Sequence, residues 1–447
     1  MPVSNDSARK FPPALTHAIS IEDSTMNDVS LAAALLRGLM VFCCIFIGSS
    51  AWAAECPPGS YTQRTVTGGI GCVIQPSRTD PAIQDAGSNS KGYGYHVVGI
   101  PADPTQIQGV YVHFMGSGAR PYDQTTGGYS VGQILEDALA RNFMFIALAY
   151  VNPETIGQLC GGDSACYGLA RQEVIYGDAV SPEVSVDTAN GILNRMDALV
   201  NFLEENFEPA SALPAAFAGA AVDWSQVRVG GGSQGGGHAG YIGRDFLTER
   251  VCFMASPEDT VTQKDSLDDP GVIVSAAWLT EGTWKTPTAS LKGIVHEDED
   301  GYEKITTNFA ALGMVQSTSE TQPNNDWVKI TIPVENPHTA PTTDEALSYA
   351  RDWACFSGGD GSPPPQPLPV VTSFSPTSGK VGTRVTIRGS SLEGTTAVKF
   401  GGVSSTPTSV SSRSVRAVVP TGAASGPITI VTPSGSASSA TNFQVLP

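Results

Sequence analysis

The chain predicts an α/β domain, a mostly parallel sheet with helices on both faces, followed by a smaller all-β sandwich. Three observations carry that expectation. From about 92 to 356, apolar strand-like runs alternate with amphipathic helical patterns, the rhythm of a sheet built by crossovers. A glycine- and proline-rich stretch from Ser357 to Pro367 then interrupts the pattern; it reads as a linker, flexible in its glycine half and semi-rigid in its proline half. Beyond it the composition turns to Ser, Thr, Val and Gly, with short alternating strands between turn signals, as in a small sandwich.

The elements follow in order. Val110 to Phe114 reads as a strand. Val131, Ile134, Leu135 and Leu139 fall at helical spacing up to Arg141,. Phe143 to Tyr150 is apolar throughout, a strand buried on both faces. Asp187 or Thr188 can cap a long helix whose stripe is Ile192, Leu193, Met196, Leu199, Val200 and Leu203,. Val227 to Val229 is a strand, and Val251 to Ala255, Val272 to Ala276, Leu291 to Val295 and Val328 to Ile332 are expected to follow it in the sheet. Helices are expected over Tyr302 to Met314 and Thr343 to Phe356. The long stretch Asn152 to Val186 breaks the rhythm and reads as an irregular insertion, a lid, a substrate wall or a tied surface loop,. In the tail, Arg384 to Ile387, Ala397 to Phe400, Val415 to Val419 and Ile428 to Val431 read as strands. The expected organisation is a leader at 1–53, a polar lead-in at 54–91, the α/β domain at 92–356, the linker at 357–368 and the sandwich at 369–447.

The formal net charge is −18 and no basic stripe is present, which argues against nucleic acid as a partner. Near the N-terminus, Leu39 to Ile47 is an apolar core preceded by Arg37, and Ala51-Trp52-Ala53 presents small residues where a signal peptidase reads,. The apolar run is short for a membrane span. The expectation is export, cleavage after Ala53 and no stable span in the mature chain, with Met26 an alternative start. A lipid anchor on Cys56 is disfavoured because Glu55 stands where a small residue is needed. Of the 8 cysteines, Cys43 and Cys44 leave with the leader. The even remainder in an exported chain suggests disulfides. Proximity favours Cys56–Cys72 and Cys160–Cys166, which leaves Cys252–Cys355. None has zinc-ligand spacing with histidine, and no metal or organic cofactor is expected.

The motif that carries chemistry is Gly231-Gly232-Ser233-Gln234-Gly235, between an apolar strand and Gly236 to Ile242, which reads as a helix. A serine in such a strand–turn–helix is forced out on a strained backbone, with N–H groups aimed at a developing oxyanion. In a chain with 48 glycines the motif alone is weak; its flanks strengthen it. A serine nucleophile needs a base, and the base needs an orienting carboxylate. Of the six histidines, His338 lies in Asn336-Pro337-His338-Thr339, a loop after the last strand, where a base can reach over to the serine,. His17 lies in the leader, His96 has no evident partner, and His113 and His238 read as structural. His296 closes a strand beside Glu297-Asp298-Glu299-Asp300, and one of those acids is the candidate orienter. Glu258-Asp259 is the rival position. Gln234 would supply one oxyanion N–H, and Met115 or Gly116, after the Val110–Phe114 strand, the second.

These residues resemble the α/β-hydrolase superfamily over roughly 92–356. The stretch from Trp224 to Ala239 resembles secreted bacterial esterase-like members. The resemblance implies Ser233 as nucleophile, His338 as base and Asp300 as acid, with Asp298 and Glu299 still open. From Phe374-Ser375-Pro376 to Gly389, then at Phe400-Gly401-Gly402, Val418-Val419-Pro420 and Gly426 to Ile430, the tail resembles an IPT/TIG domain. That implies an immunoglobulin-like fold, often a spacer or a module for a surface or carbohydrate ligand. The expected activity is that of an exported serine hydrolase acting on a small or polymeric ester through an acyl-enzyme. The alternatives are a non-catalytic surface binding or adhesion protein, and a peptidase or amidase.

Overall fold

The computed structural model describes residues 54–447 apart from 86–93, 124–125, 153, 209–212, 219–220, 265–270, 358–368, 391, 393, 412 and 433–434. The expected leader, and the linker beyond Ser357, lie outside the described residues.

Nine strands form one large sheet: β1 (Thr62–Val66), β2 (Gly69–Ile74), β3 (His96–Pro101), β4 (Gly109–Phe114), β5 (Phe143–Ala147), β6 (Val227–Gly232), β7 (Arg250–Met254) and, after a separate hairpin of β8 (Thr260–Gln263) with β9 (Val272–Ser275), β10 (Leu291–His296) and β11 (Trp327–Ile330). The spatial order is β1-β2-β3-β5-β4-β6-β7-β10-β11. β1, β2, β3 and β5 pair antiparallel, and the pairings from β5 through β4 to β11 are parallel.

This corrects the expected fold. The molecule carries a large mixed sheet and a β-sandwich, not the mostly parallel α/β-hydrolase sheet. Alternation of apolar runs with helices reports crossovers, but a hairpin with a polar outer strand escapes it. Residues 62–66 are TQRTV, exposed or half-buried throughout, and read as lead-in. Their hairpin partner β2 is almost wholly buried, and Cys56–Cys72 ties the segment to it. Val272 to Ala276 likewise does not join the sheet: β9 is at best half-buried. The helix expected over Thr343 to Phe356 is broken into short turns, because the Asp344 side chain accepts from the Ala346 N–H at 2.9 Å and starts a new turn.

Strand periodicity builds two cores. Val110, Val112 and Phe114 face one side with Val227, Val229, Val251 and Phe253. That side is covered by Ser164–Tyr176, Ile192–Asn206, Gln234–Asp245 and Tyr302–Ala311. Tyr111, Phe145, Cys252 and Met254 face the other, under Gln133–Ala140 and the turns that include Leu347 and Trp353. Cys252–Cys355 closes that second core. The insertion at 152–186 is more ordered than its sequence suggests. It holds two helices, here α1 (Ile156–Cys160) and α2 (Ser164–Tyr176), joined by Cys160–Cys166. The Asp163 side chain caps α2 by accepting from the Ala165 N–H at 2.9 Å.

The C-terminal sandwich packs a four-stranded sheet (Val370–Ser375, Arg384–Ser390, Ser414–Val418, Pro407–Val410) on a five-stranded one that includes Ala397–Phe400, Gly426–Thr432 and Gly435–Val445. Its core is Phe374, Val385, Ile387, Val398, Phe400, Ile428, Ile430 and Phe443, among others.

Candidate functional site

Ser233 stands between β6 and α3 (Gln234–Asp245) with φ 53° and ψ −130°. A non-glycine residue in that region costs on the order of 1–3 kcal/mol and is held there by its surroundings. Here the Ser233 N–H donates to the Met254 carbonyl at 3.0 Å. The flanking glycines are forced by close approach. A Cβ on Gly235 would stand 2.0 Å from the Phe114 carbonyl oxygen, and one on Gly231 2.4 Å from the Gly235 carbonyl carbon. Serine is a favoured helix cap, yet this side chain makes no cap bond, so the turn presents the hydroxyl at the helix N-terminus instead. Gln234 opens the helix, at the positive end of its dipole; the Gly236 N–H already donates to the Ser233 carbonyl at 3.1 Å.

Gly116 lies against this turn. A Cβ there would be 3.3 Å from the Ser233 Cβ and 3.9 Å from its Oγ. The preceding Met115 carbonyl accepts from the Tyr150 hydroxyl at 2.5 Å and from Asn152 Nδ2 at 3.3 Å. In a trans peptide this turns the Gly116 N–H to the opposite edge of the same plane. Asn152 Nδ2 also donates to the Gly116 carbonyl. The side chain of Gln234 braces the turn. Its Nε2 donates to Asn152 Oδ1 at 2.6 Å and to the Glu154 carbonyl at 3.0 Å, and its Oε1 accepts from the Ile156 N–H at 2.7 Å. Sequence reasoning missed Asn152 and this side-chain bridge; the signal was an amide residue two positions after the apolar run that ends at Tyr150.

His338 Nδ1 is hydrogen-bonded to Glu299 Oε1 at 2.9 Å. The carboxylate that holds His338 is therefore Glu299, and Asp300, which the resemblance implied, is an exposed neighbour. The reason is local. His296 accepts the Asp298 N–H on Nδ1 and donates from Nε2 to the Ile332 carbonyl, at 3.0 and 2.9 Å. The Glu299 N–H donates to the His296 carbonyl at 3.1 Å. This tight turn leaves Glu299 buried, while Glu297, Asp298 and Asp300 face solvent. Asp259 is engaged elsewhere: Arg171 holds both its oxygens at 2.6 Å and Trp278 Nε1 donates to it at 2.7 Å.

The Glu299 hydrogen bond raises the His338 pKa above its ordinary value; partial burial opposes this, and the charges of Glu299, Glu258 and Asp300 add to it. For Glu299, burial pushes upward, but the His338 hydrogen bond and charge, with the Gly301 N–H, bring it below the ordinary carboxylate range. Burial drives His113 down to about 3 and His96 and His238 well below 6.5, so these three are neutral packing groups.

Ser233, Gln234, Tyr167, Glu258 and Lys304 line a cavity of about 270 Å³. Its neighbour, about 350 Å³, is lined by His338, Glu299 and the same Glu258 and Lys304. Ser233 and His338 thus face adjoining cavities and are not hydrogen-bonded to each other. Catalytic hydrogen bonds often tighten only once substrate is bound. The loop carrying His338 does lie on the serine turn: a Cβ on Gly232 would be 3.0 Å from Thr342 Cγ2. Oxygen and nitrogen atoms of Glu258, Glu299 and His338 fall within 4.8 Å of one another, a spacing on which a divalent cation could close. The His338–Glu299 hydrogen bond already uses one atom of each.

Residues 369–445 match the IPT/TIG domain family. They are an IPT/TIG domain. No curated protein matches the chain. Solved structures similar to part of it include an auxiliary nutrient binding protein from Bacteroides thetaiotaomicron, 25% identical over 18% of this chain and 22% of that one, with a TM-score of 0.17. A putative phosphatase from the same organism is 27% identical over 18% of this chain and 19% of its own, with a TM-score of 0.18. The chain spans about a fifth of the length of these proteins. Likenesses this partial bear on neither the large sheet nor its site, and the comparisons give the α/β-hydrolase resemblance of 92–356 no support. Among the described residues three disulfides pair as Cys56–Cys72, Cys160–Cys166 and Cys252–Cys355. Among the described residues no helix is long and apolar enough to cross a membrane.

Proposed function

We propose that the protein is an exported serine hydrolase that cleaves carboxylic esters. The observation that carries this reading is Ser233 on a left-handed backbone at a helix N-terminus, beside a loop whose His338 is oriented by Glu299. Ser233 Oγ attacks the ester carbonyl as His338 takes its proton. The N–H groups of Gln234 and Gly116 receive the oxyanion. The alkoxide leaves with the proton from His338, and water, deprotonated by His338, releases the acid from the acyl-enzyme. Amide substrates would follow the same course, so the ester preference is a separate part of the proposal. Three disulfides support an oxidising compartment. Purified Ser233→Ala protein should keep its fold and lose turnover of a simple aryl ester; undiminished turnover ends this reading.

A second reading has its own support. The IPT/TIG domain at 369–445 suits a surface binding protein with a carbohydrate ligand, in which the serine site is silent. Failure of a fluorophosphonate to label Ser233 in the folded protein, together with retention on a glycan array, would favour it.

A further inference from the structure

The cavity at Ser233 has a wall that the catalytic groups do not supply. Thr155, Ile156, Gly157 and Gln158, at the start of α1, form one side of it, with Tyr167 of α2 behind. This wall is fixed at three places. Ile156 is anchored through its N–H to the Gln234 side chain at 2.7 Å, so the wall is tied to the residue after the nucleophile. The Cys160–Cys166 disulfide joins α1 to α2. The Tyr167 hydroxyl donates to the Thr260 carbonyl at 3.2 Å, pinning α2 to the opposite rim. Of the alternatives open for 152–186, these ties describe a wall and not a lid.

Within that wall one side chain is missing. A Cβ on Gly157 would meet only Thr155 Cγ2 and the Tyr167 hydroxyl, each at 3.9 Å. Both contacts belong to cavity-lining residues, and both are at ordinary van der Waals distance. Gly157 does not have the positive φ that marks Gly161 and Gly162 further along the same segment. Neither its backbone nor a tight contact requires glycine, and helices disfavour glycine by about 1 kcal/mol relative to alanine. The space its side chain would take opens onto the cavity instead.

We propose that Gly157 determines acyl selectivity: its absent side chain leaves the room in which a short acyl chain lies beside Ser233. This rests on the ester hydrolase reading above. The space beside Ser233 on this wall is about 270 Å³, room for a few methylenes next to the reacting carbonyl, so the favoured class is short acyl groups. A side chain at 157 then acts as a stop, and a few methylenes decide acceptance at about 10-fold or more each way.

The test uses the full chain with two series: aryl esters with one leaving group and acyl chains from acetyl to octanoyl, and acetyl esters of alcohols of increasing length. For Gly157→Leu, the ratio of kcat/KM for hexanoyl to acetyl ester is expected to fall at least about tenfold relative to wild type. Gly157→Ala should fall in between, which guards against a folding defect in the larger variant. Rates of Ser233 labelling by methyl and hexyl fluorophosphonates should shift in the same sense. An unchanged ratio in both variants overturns the proposal. So does a change that follows the alcohol length at constant acetyl, because the cavity would then hold the leaving group. Wild-type protein that neither turns over any ester nor labels at Ser233 instead overturns the hydrolase reading.

Discussion

The serine turn and the histidine loop form one candidate site but are built in different ways. Ser233 is specified within five residues: a strained backbone, glycines pressed against Phe114 and Gly235, and a helix start. His338 is specified across 39 residues, by a hydrogen bond to an acid from another loop. The serine turn is half-buried and held by hydrogen bonds of Gln234 to Asn152 and Arg171. The His338 side chain is 40% exposed, while Glu299 beneath it is 3% exposed. A group set by backbone geometry can be read locally; a group chosen by which side chain a turn buries cannot.

That contrast can be broken from either side. The largest effect is expected for Ser233→Ala, with kcat on an aryl ester down by about 10⁴-fold or more and an unchanged circular dichroism spectrum. Glu299→Gln comes next. It keeps the shape but not the charge, and kcat should drop about 10²–10⁴-fold, whereas Asp300→Asn should stay within about threefold of wild type by the same assay. Equal losses for the two would erase the distinction drawn at that turn. Gly235→Ala tests the serine side without touching a reacting group. Its methyl must displace the Phe114 carbonyl, so denaturant unfolding should show a loss of about 1–3 kcal/mol, with activity falling as the turn moves.

The smallest effect is a shift in pH dependence. His338 must be neutral to accept a proton. Because its partners raise its pKa, it stays protonated to higher pH, and the acid limb of kcat/KM should lie above the ordinary histidine value of about 6.5. Glu299→Gln removes the main cause and should move the residual limb to lower pH. A limb that does not move would assign the titration to another group.

Much of this was legible from sequence and some was not, for reasons that differ by element. Buried strands such as Phe143–Ala147 declare themselves by composition, and the serine turn by its glycines. The sandwich core at Val385, Ile387, Ile428 and Ile430 follows simple alternation. At the antiparallel edge only the outermost strand, Thr62–Val66, has no apolar face to display; β2 and β3 are buried, and what their short apolar runs do not declare is the direction in which they pair,. The choice of Glu299 among four consecutive acids depends on His296, whose two ring hydrogen bonds shape the turn. Nothing in the run itself separates one carboxylate from the next.

The central claim is that Ser233 is an activated nucleophile served by His338. Incubating the folded full-length protein with a fluorophosphonate and mapping the adduct by peptide mass spectrometry tests it most directly. Stoichiometric label on the peptide containing Ser233, slowed at least about a hundredfold in His338→Ala, is the predicted result. A folded protein that remains unlabelled at Ser233, or one that labels equally fast without His338, would contradict it.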